Sequence, residues 1–589
     1  VAYGYRVGEV PLPDIPESDA TAKFIGPIRN TRIQPRPEAV SLGCHLTNAA
    51  LPRPDTHDAI SAAAGTCYRF ARGMPVPQAN RIAIAKDHTL DWLKKNMTPL
   101  SPDTDISVET WIGSTPYAEP RKQELRELWG KFNDLFVKGA TREQLVKFIK
   151  CKSHIKDEPY PEYKYPRPIN SRTDLFKCVV GPWFKRIEME IFKCPEFIKK
   201  VPMPDRPRYM MDKLFVHASK FIETDYSSFE AAFTAYVMEH IEMPMYDYLT
   251  RNIPGADLFM WCVRNVLAGD NRCDFKDFSF TVNAKRMSGE MCTSLGNGFT
   301  NFMLMQFLTK LLGSEMVGIF EGDDGVTRIN GNVPTPEDFA SMGFSIKLNE
   351  HTEINKASFC GMVFDPDEMM CITDPKEVLA TIGWSGHKYV SSKQSTLKAL
   401  LRCKAYSYGY QYQACPVISS MARAYLRLTS GISIEKLVNT QFLNQYEMEQ
   451  LKEALANGRP ELCQPVGIKT RQLMEDKYAF PIILQYMYED YFDNLKTIEP
   501  IPLWFTPHES WVDYFSRYCR QVDPSDIFIG LPDFNYESPV HSKIILTREP
   551  FTTVHPQTRL SWACSQPVVY SKPYLPTISN RQLAYSRQA

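Results

Sequence analysis

Apolar and polar positions change their period several times along this chain, and each change marks an element. Residues 213–225, KLFVHASKFIETD, predict a strand that runs into a loop, and 229–249 carry apolar and aromatic residues at the three and four spacing of a helix. Residues 314–329, SEMVGIFEGDDGVTRI, predict strand, turn and strand, and 336–365 read as helix, strand, strand. From 376 to about 480 the pattern is mostly helical, and from there to 545 it is loop-rich and aromatic. Upstream, 1–58 are Pro-rich and weakly periodic and predict an extended arm over a larger body. DAISAAAG at 58–65 opens a short helix and HTLDWLKKNM at 88–97 predicts another. Residues 119–152 hold two helical patterns separated at Gly139, 153–175 are Pro- and Lys-rich, and 176–200 return to an amphipathic pattern. No repeat of solenoid period is present. The mixture predicts an α/β fold of the α+β kind.

Composition narrows this picture. A chain of 589 residues with 43% hydrophobic content buries a large core, which excludes disordered and collagen-like classes and suggests three to five units or one enzyme built from subdomains. Lys plus Arg is 68 and Asp plus Glu is 68, so a small, strongly basic nucleic-acid module is excluded, while a large enzyme can confine its basic residues to a channel. No apolar run is long enough for a membrane-spanning helix. The opening VAYGYRVGEVPLPDIPESDA lacks the basic and apolar regions of a signal peptide; it begins with Val, and a processed or trimmed product of a longer chain is the expectation. The 15 cysteines form no CxxC pair and read as free thiols; a structural zinc site would need ligands gathered from distant segments. The 11 histidines show no HExxH pattern and no cluster of metal ligands.

Candidate chemistry concentrates in three places. Gly322-Asp323-Asp324-Gly325 joins two apolar segments and predicts a tight hairpin, which taken alone is equally an ordinary solvated turn. Asp225, in ETDYSSFE, ends the strand-like run before a helix and can project beside that hairpin. Carboxylates from two strands at one sheet edge are what a pair of divalent ions requires, with Asp225 and Asp323 as bridging ligands and Asp324 as a weaker one. The third element, SGEMCTSLGN from Ser288 to Asn297, opens an apolar helix; it reads as N-terminal capping by itself and as a substrate-facing loop beside the two acidic elements.

The order D-x₄-E, SG-x₃-T-x₃-N, GDD, with 63 residues from Asp225 to Ser288 and 35 from Ser288 to Asp323, resembles the palm signatures of viral RNA-dependent RNA polymerases of positive-strand RNA viruses. KDE at 156–158 followed by KYPRPI at 164–169 resembles the family's basic fingers motif, and SGEMCTSLGN with it is most like the nodavirus and tombusvirus-like group. The resemblance implies a right-hand polymerase with fingers, palm and thumb, the palm built on an antiparallel sheet flanked by helices. It divides the chain into an N-terminal arm and fingers extension at 1–110, fingers at 111–215, palm at 216–235, a fingers insertion at 236–280, palm again at 281–375, thumb at 376–549 and a C-terminal tail at 550–589.

The implied activity is template-directed RNA synthesis from NTPs by a two-metal mechanism with Mg²⁺ or Mn²⁺. Asp225, Asp323 and Asp324 are the implied metal ligands, and Lys347 (with Lys356 as the alternative) the general acid for pyrophosphate. Lys156, Lys164 and Arg167 would hold the triphosphate, with Glu158 orienting one of them; residues 147–172 hold seven Lys or Arg residues against three acids. Glu230, Ser288, Gly289, Thr293 and Asn297 would bind the nucleotide. The family usually has Asp where Glu230 stands, so ribose reading goes either through a shifted Glu230 or mainly through Asn297. Ser114, Thr115 and Pro116 would guide template RNA, and Phe359 and Cys360 would form the primer grip. Residues 378–434 contain no acid, and Lys388, Lys393, Arg402 and Lys404, interleaved with Tyr389, Tyr406, Tyr408, Tyr410 and Tyr412, suit an RNA backbone. Cys292 and Cys360 read as small fillers rather than nucleophiles.

The implied partners are template and product RNA, NTPs and other viral replication proteins, in host cytoplasm at membrane-associated complexes. A reverse transcriptase and a catalytically inactive RNA-binding scaffold are the competing readings. The acid-free tail from 550, with Arg559, Lys572, Arg581 and Arg587, is expected to fold toward the cleft or to dock another protein.

Overall fold

The computed structural model describes residues 1–12, 21–25, 36–137, 147–216, 219–439, 445–457 and 465–520. The fold is α+β, with helices packed, among the described residues, around four sheets. At its centre lies a four-stranded antiparallel sheet in the order Ile346–His351, Lys220–Tyr226, Asp324–Asn330, Glu315–Glu321. In its second strand Ile222, Thr224 and Tyr226 are buried while Glu223 and Asp225 on the alternate face are not, the period of a strand with one covered side. The covering element is helix Thr293–Leu311, apolar on nearly every face and therefore buried along most of its length. Phe302 of this helix meets Phe320 of the sheet at 5.4 Å between ring centres.

A five-stranded mixed sheet stands beside it, in the order Thr21–Phe24, Phe278–Asn283, Asp270–Asp274, Lys150–Ile155, Pro168–Arg172. The residues after 376 form the predicted helices, among them Gln394–Gln411 and Ile418–Leu428. Helices Ile482–Asn494 and Glu509–Tyr518 then occupy the stretch predicted to be loop-rich. Their flanking prolines mark the ends of helices rather than their absence, since Pro481 sits at an N-cap where its missing N–H costs nothing. The single helix predicted over 229–249 is broken into Phe229–Ala232, Ala235–Ile241 and Met243–Thr250, with Pro244 in the first turn of the last. Of the two helical patterns around Gly139, the first is Glu119–Val137, Gly139 lies outside the described residues, and the second ends in strand Lys150–Ile155.

The N-terminal segment is more than an arm over a finished body. Strand Pro37–Ser41 sits between Ala2–Tyr3 and Trp384–Gly386, and Val1, Tyr5 and Glu38 are buried. Helix Ala59–Phe70, capped by Asp58, is pressed against the Pro- and Lys-rich stretch: Tyr68 stacks on Tyr165 at 5.2 Å. A β-carbon on Gly65 would lie 2.1 Å from the Pro166 carbonyl oxygen. No described helix is long and apolar enough to cross a membrane. The predicted tail at 550–589 lies outside the described residues. Because backbone rather than a mobile side chain faces Gly65, Gly65→Ala is expected to destabilise the fold by about 1–3 kcal/mol, the usual range for overpacking, measured by chemical denaturation.

Candidate active site

The hairpin of the central sheet turns through Gly322 and Asp323, because Glu321 and Asp324 are already paired across it. Gly322 has φ +62° and a β-carbon there would meet nothing within 4 Å, so the requirement for glycine is conformational, at the first position of a two-residue hairpin loop. Gly325 is required by space instead: a β-carbon would stand 2.9 Å from the Phe320 ring and 3.0 Å from Thr224 Oγ1.

Lys347 lies opposite Asp225, and Gly325 opposite Thr224, so one further step of the same register sets Asp225 beside Asp324. Residues directly opposite share a face of the sheet. Lys347, Asp225, Asp324 and Glu321 thus form a charged row with Asp323 at its end, on the turn. Arg206 Nη1 reaches Glu321 at 3.1 Å. Surrounding protein and then the neighbouring Asp323 push the Asp324 carboxyl up to about 6, against a hydrogen bond from the Cys360 thiol. Asp323 is also raised, first by its surroundings and then by Glu230, while Arg69 and Arg167 act in the opposite sense. Both aspartates keep an edge open to solvent.

One side chain holds this turn. Asn301, fully buried on helix Thr293–Leu311, directs its amide nitrogen at the carbonyls of Gly322, Asp323 and Asp324 at 3.3, 3.0 and 3.2 Å. Two N–H bonds are thereby shared among three acceptors. The amide oxygen accepts from Tyr226 Oη at 3.1 Å, which fixes its orientation and ties the residue after Asp225 to the same point. Neither Asn301 nor Tyr226 was among the predicted site residues; the available signal was an Asn four positions after Asn297, on the same face of an apolar helix.

The loop before that helix is laced to the mixed sheet. Ser288 Oγ donates to the Pro168 carbonyl at 2.6 Å and Asn170 N donates to the Ser288 carbonyl at 2.8 Å. Gly289 has φ +129° and would place a β-carbon 2.7 Å from Asn170 O. Glu290 pairs with Arg172 at 2.6 Å, both nearly solvent-free, and Thr293 Oγ1 donates to Glu290 O at 2.9 Å. Asn297 is buried, its amide oxygen accepting from Arg286 Nε at 3.0 Å, and Arg286 pairs with Glu242 in the interior. Cys292 is buried too, and that burial pushes its thiol up to about 12, which fits a filler and not a nucleophile.

Glu158 orients two cations, one more than predicted: Lys156 at 2.9 Å and Arg167 through both Nε and Nη2 at 2.6 and 2.7 Å. Burial opposes the Glu158 charge, but Arg167 and Lys156 outweigh it and hold the carboxyl below its ordinary range. Lys164 is exposed, its backbone N–H donating to Tyr5 Oη at 3.1 Å. Ser114 and Thr115 close helix Val108–Ser114, their hydroxyls donating to Trp111 O and Ile112 O at 2.7 Å, with Pro116 exposed beyond. Phe359 is buried, whereas Cys360, at φ +51°, reaches Asp324.

The basic helical segment divides. Lys388 and Lys393 are exposed. Arg402 donates to Leu426 O at 2.9 Å and Lys404 to Trp384 O at 2.5 Å, so both reach inward to backbone carbonyls. Tyr389, Tyr410 and Tyr412 are buried rather than presented as stacking surfaces. Among the described residues, two groups of His and carboxylates that no sequence spacing announced gather in space: Glu38, Asp55 and His57, and Glu38, Asp157 and His387, each with ligand atoms within 4.8 Å of one another.

A family model described as RNA dependent RNA polymerase matches residues 131–408. The chain is a distant match to viral RNA-dependent RNA polymerases. The RNA-directed RNA polymerases of Striped jack nervous necrosis virus and Atlantic halibut nervous necrosis virus are 22% and 23% identical over 214 and 207 residues, covering 33% of this chain and 20% and 21% of theirs. That of Greasy grouper nervous necrosis virus is 22% identical over 289 residues, 47% of this chain and 28% of its own. The matches thus span well under half the length of these relatives.

Two outcomes follow from the turn. Asn301→Leu, which leaves three carbonyls without their donor, is expected to cost about 1–3 kcal/mol in chemical denaturation. The Asp324 carboxyl is raised from 3.8 to about 6, so between those values the folded chain holds a proton that the unfolded chain releases, and stability falls as pH rises through that window. Asp324→Asn is therefore expected to raise Tm at pH 7 and to leave it nearly unchanged at pH 3, in thermal denaturation without divalent cations.

Proposed function

We propose that this chain is a template-directed RNA polymerase of the right-hand kind. In this reading the central sheet is the palm, the mixed sheet and the segments around it the fingers, and the helices after 376 the thumb. The carrying observation is the acidic row on a buttressed hairpin, with Arg167 within electrostatic reach of Asp323. The distant likeness to viral polymerases supports it.

The donor set suits hard divalent cations: Asp225, Asp323 and Asp324 offer only carboxylate oxygens, and their crowding raises the cost of leaving them uncompensated. These three residues would hold Mg²⁺ or Mn²⁺, which when bound activates the attacking 3′-hydroxyl and neutralises charge on the phosphates. The remaining work falls to the chain's own groups. Arg167 and Lys156, held by Glu158, bind the triphosphate, the guanidinium by a two-pronged contact. Lys347, opposite Asp225, supplies the proton to departing pyrophosphate. Asn301 keeps the carboxylates in register. Lys388 and Lys393 meet the RNA backbone.

The test is incorporation of labelled NTPs on a defined RNA template, with and without primer. Asp225→Ala and Asp323→Ala are expected to abolish incorporation while RNA affinity stays within about twofold, and Arg167→Ala to raise the NTP KM more than it weakens template binding. RNA binding without metal-dependent incorporation by the wild-type chain leaves the scaffold reading standing, and preferential use of dNTPs leaves the reverse transcriptase. In thermal denaturation at pH 7, Mg²⁺ is expected to raise Tm in the wild-type chain and not in Asp225→Ala.

A further inference from the structure

We infer that Arg69, carried on the N-terminal helix Ala59–Phe70, is a positioning residue for ribose selection: it holds the Glu230 carboxylate beside the acidic hairpin. The inference rests on the polymerase reading and extends it to a part of the chain outside the matched span 131–408.

Arg69 Nη2 pairs with Glu230 Oε1 across 161 positions of sequence, and the two side chains are 20% and 9% exposed. Three residues on, Arg72 Nη1 donates to Ser228 Oγ at 3.2 Å. The short helix Phe229–Ala232 that carries Glu230 is capped by Ser228, held at φ +53°, a conformation that side chains other than glycine adopt at some cost. From the other side, Arg286 N donates to the Glu230 carbonyl at 3.0 Å, while the same arginine's Nε donates to Asn297 Oδ1 at 3.0 Å. Glu230 is thus fixed in backbone by Arg286 and in side chain by Arg69.

The chemistry explains why such a partner matters. A Glu has one more rotatable bond than an Asp, and an unheld carboxylate has several places to point. Pairing with a planar guanidinium removes that freedom and leaves an oxygen to accept from a ribose 2′-hydroxyl. A deoxynucleotide offers no such donor, so the buried carboxylate is left short of a partner. Asn297 is less available for the same task, because its amide oxygen is already engaged by Arg286. Arg69 Nε is buried with no hydrogen-bond partner among the described residues, a further donor next to this carboxylate. The helix is also braced where the triphosphate cations sit, through Tyr68 on Tyr165 and Gly65 on Pro166, so Arg69 and Arg167 share one frame.

The test compares kcat/KM for a ribonucleotide and the matching deoxynucleotide on one primed RNA template, using the full chain. Arg69→Gln is expected to reduce the NTP-to-dNTP ratio at least about tenfold, mainly through KM, a change of about 1.4 kcal/mol in discrimination. Arg69→Lys is expected to retain most of it, and Arg69→Gln combined with Glu230→Gln to lose little more than either alone, since coupled residues are not additive. A merely structural role lowers kcat for both substrates and leaves the ratio in place. An unchanged ratio in Arg69→Gln overturns the inference. Where that variant does not fold, Glu230→Gln decides: an unchanged ratio there overturns it equally. A wild-type chain that incorporates no nucleotide removes the polymerase reading and this inference together, whereas incorporation with unaltered discrimination removes the inference alone.

Discussion

Carboxylates that must stand close repel one another, and a hairpin turn is the part of a sheet least able to resist that repulsion. In this molecule the resistance comes from one amide. Asn301 gathers the carbonyls of three consecutive turn residues and is itself oriented by the Tyr226 hydroxyl, so strand, helix and turn meet at a single buried side chain. The backbone is held while the carboxylates remain free to bind. Glycine at 322 lets the chain turn there, and glycine at 325 lets the sheet close beneath it. Remove any of the three and the acids keep their identities but not their relative places.

Charge is arranged around that point in layers. The acidic row faces a cation on each flank: Lys347 opposite Asp225 in register, Arg206 on Glu321, and Arg167 and Arg69 acting on Asp323. Arg69 and Arg167 both precede the acidic motifs in sequence, 98 residues apart, and the segments that carry them pack directly against each other. A net charge of zero over the whole chain therefore coexists with a steep local field.

Much of this was legible in the sequence where the cause is local. The hairpin announces itself because Gly-Asp-Asp-Gly between apolar runs leaves few other conformations, and the role of Glu158 follows from a basic stretch that contains few acids. What depends on register or on distant pairing was not legible. Nothing near Lys347 says that it faces Asp225, and nothing near Arg69 says that it meets Glu230. The acid-free stretch from 378 to 434 was the misleading case, for its charge is real but Arg402 and Lys404 spend theirs on backbone carbonyls inside. Buried tyrosines among them gave a stripe that resembles a stacking surface and packs as core. The apolar spacing across Pro244 predicts one helix where the chain forms three, with the proline in the first turn of the last.

The strand Pro37–Ser41 is flanked on one side by Ala2–Tyr3 and on the other by Trp384–Gly386, while Val1 donates to Arg520 O at 2.8 Å. Such pairings set a schedule. During synthesis strand Pro37–Ser41 waits with an open edge until more than three hundred further residues have emerged, by when the strands of the central sheet, the last ending at His351, have all been made. Closing so long a loop is slow because its entropy is lost before any contact rewards it. An unpaired edge of that kind invites pairing with another chain. Proteolysis or aggregation during this interval would strike the N-terminal segment, and with it the helix that braces the acidic site.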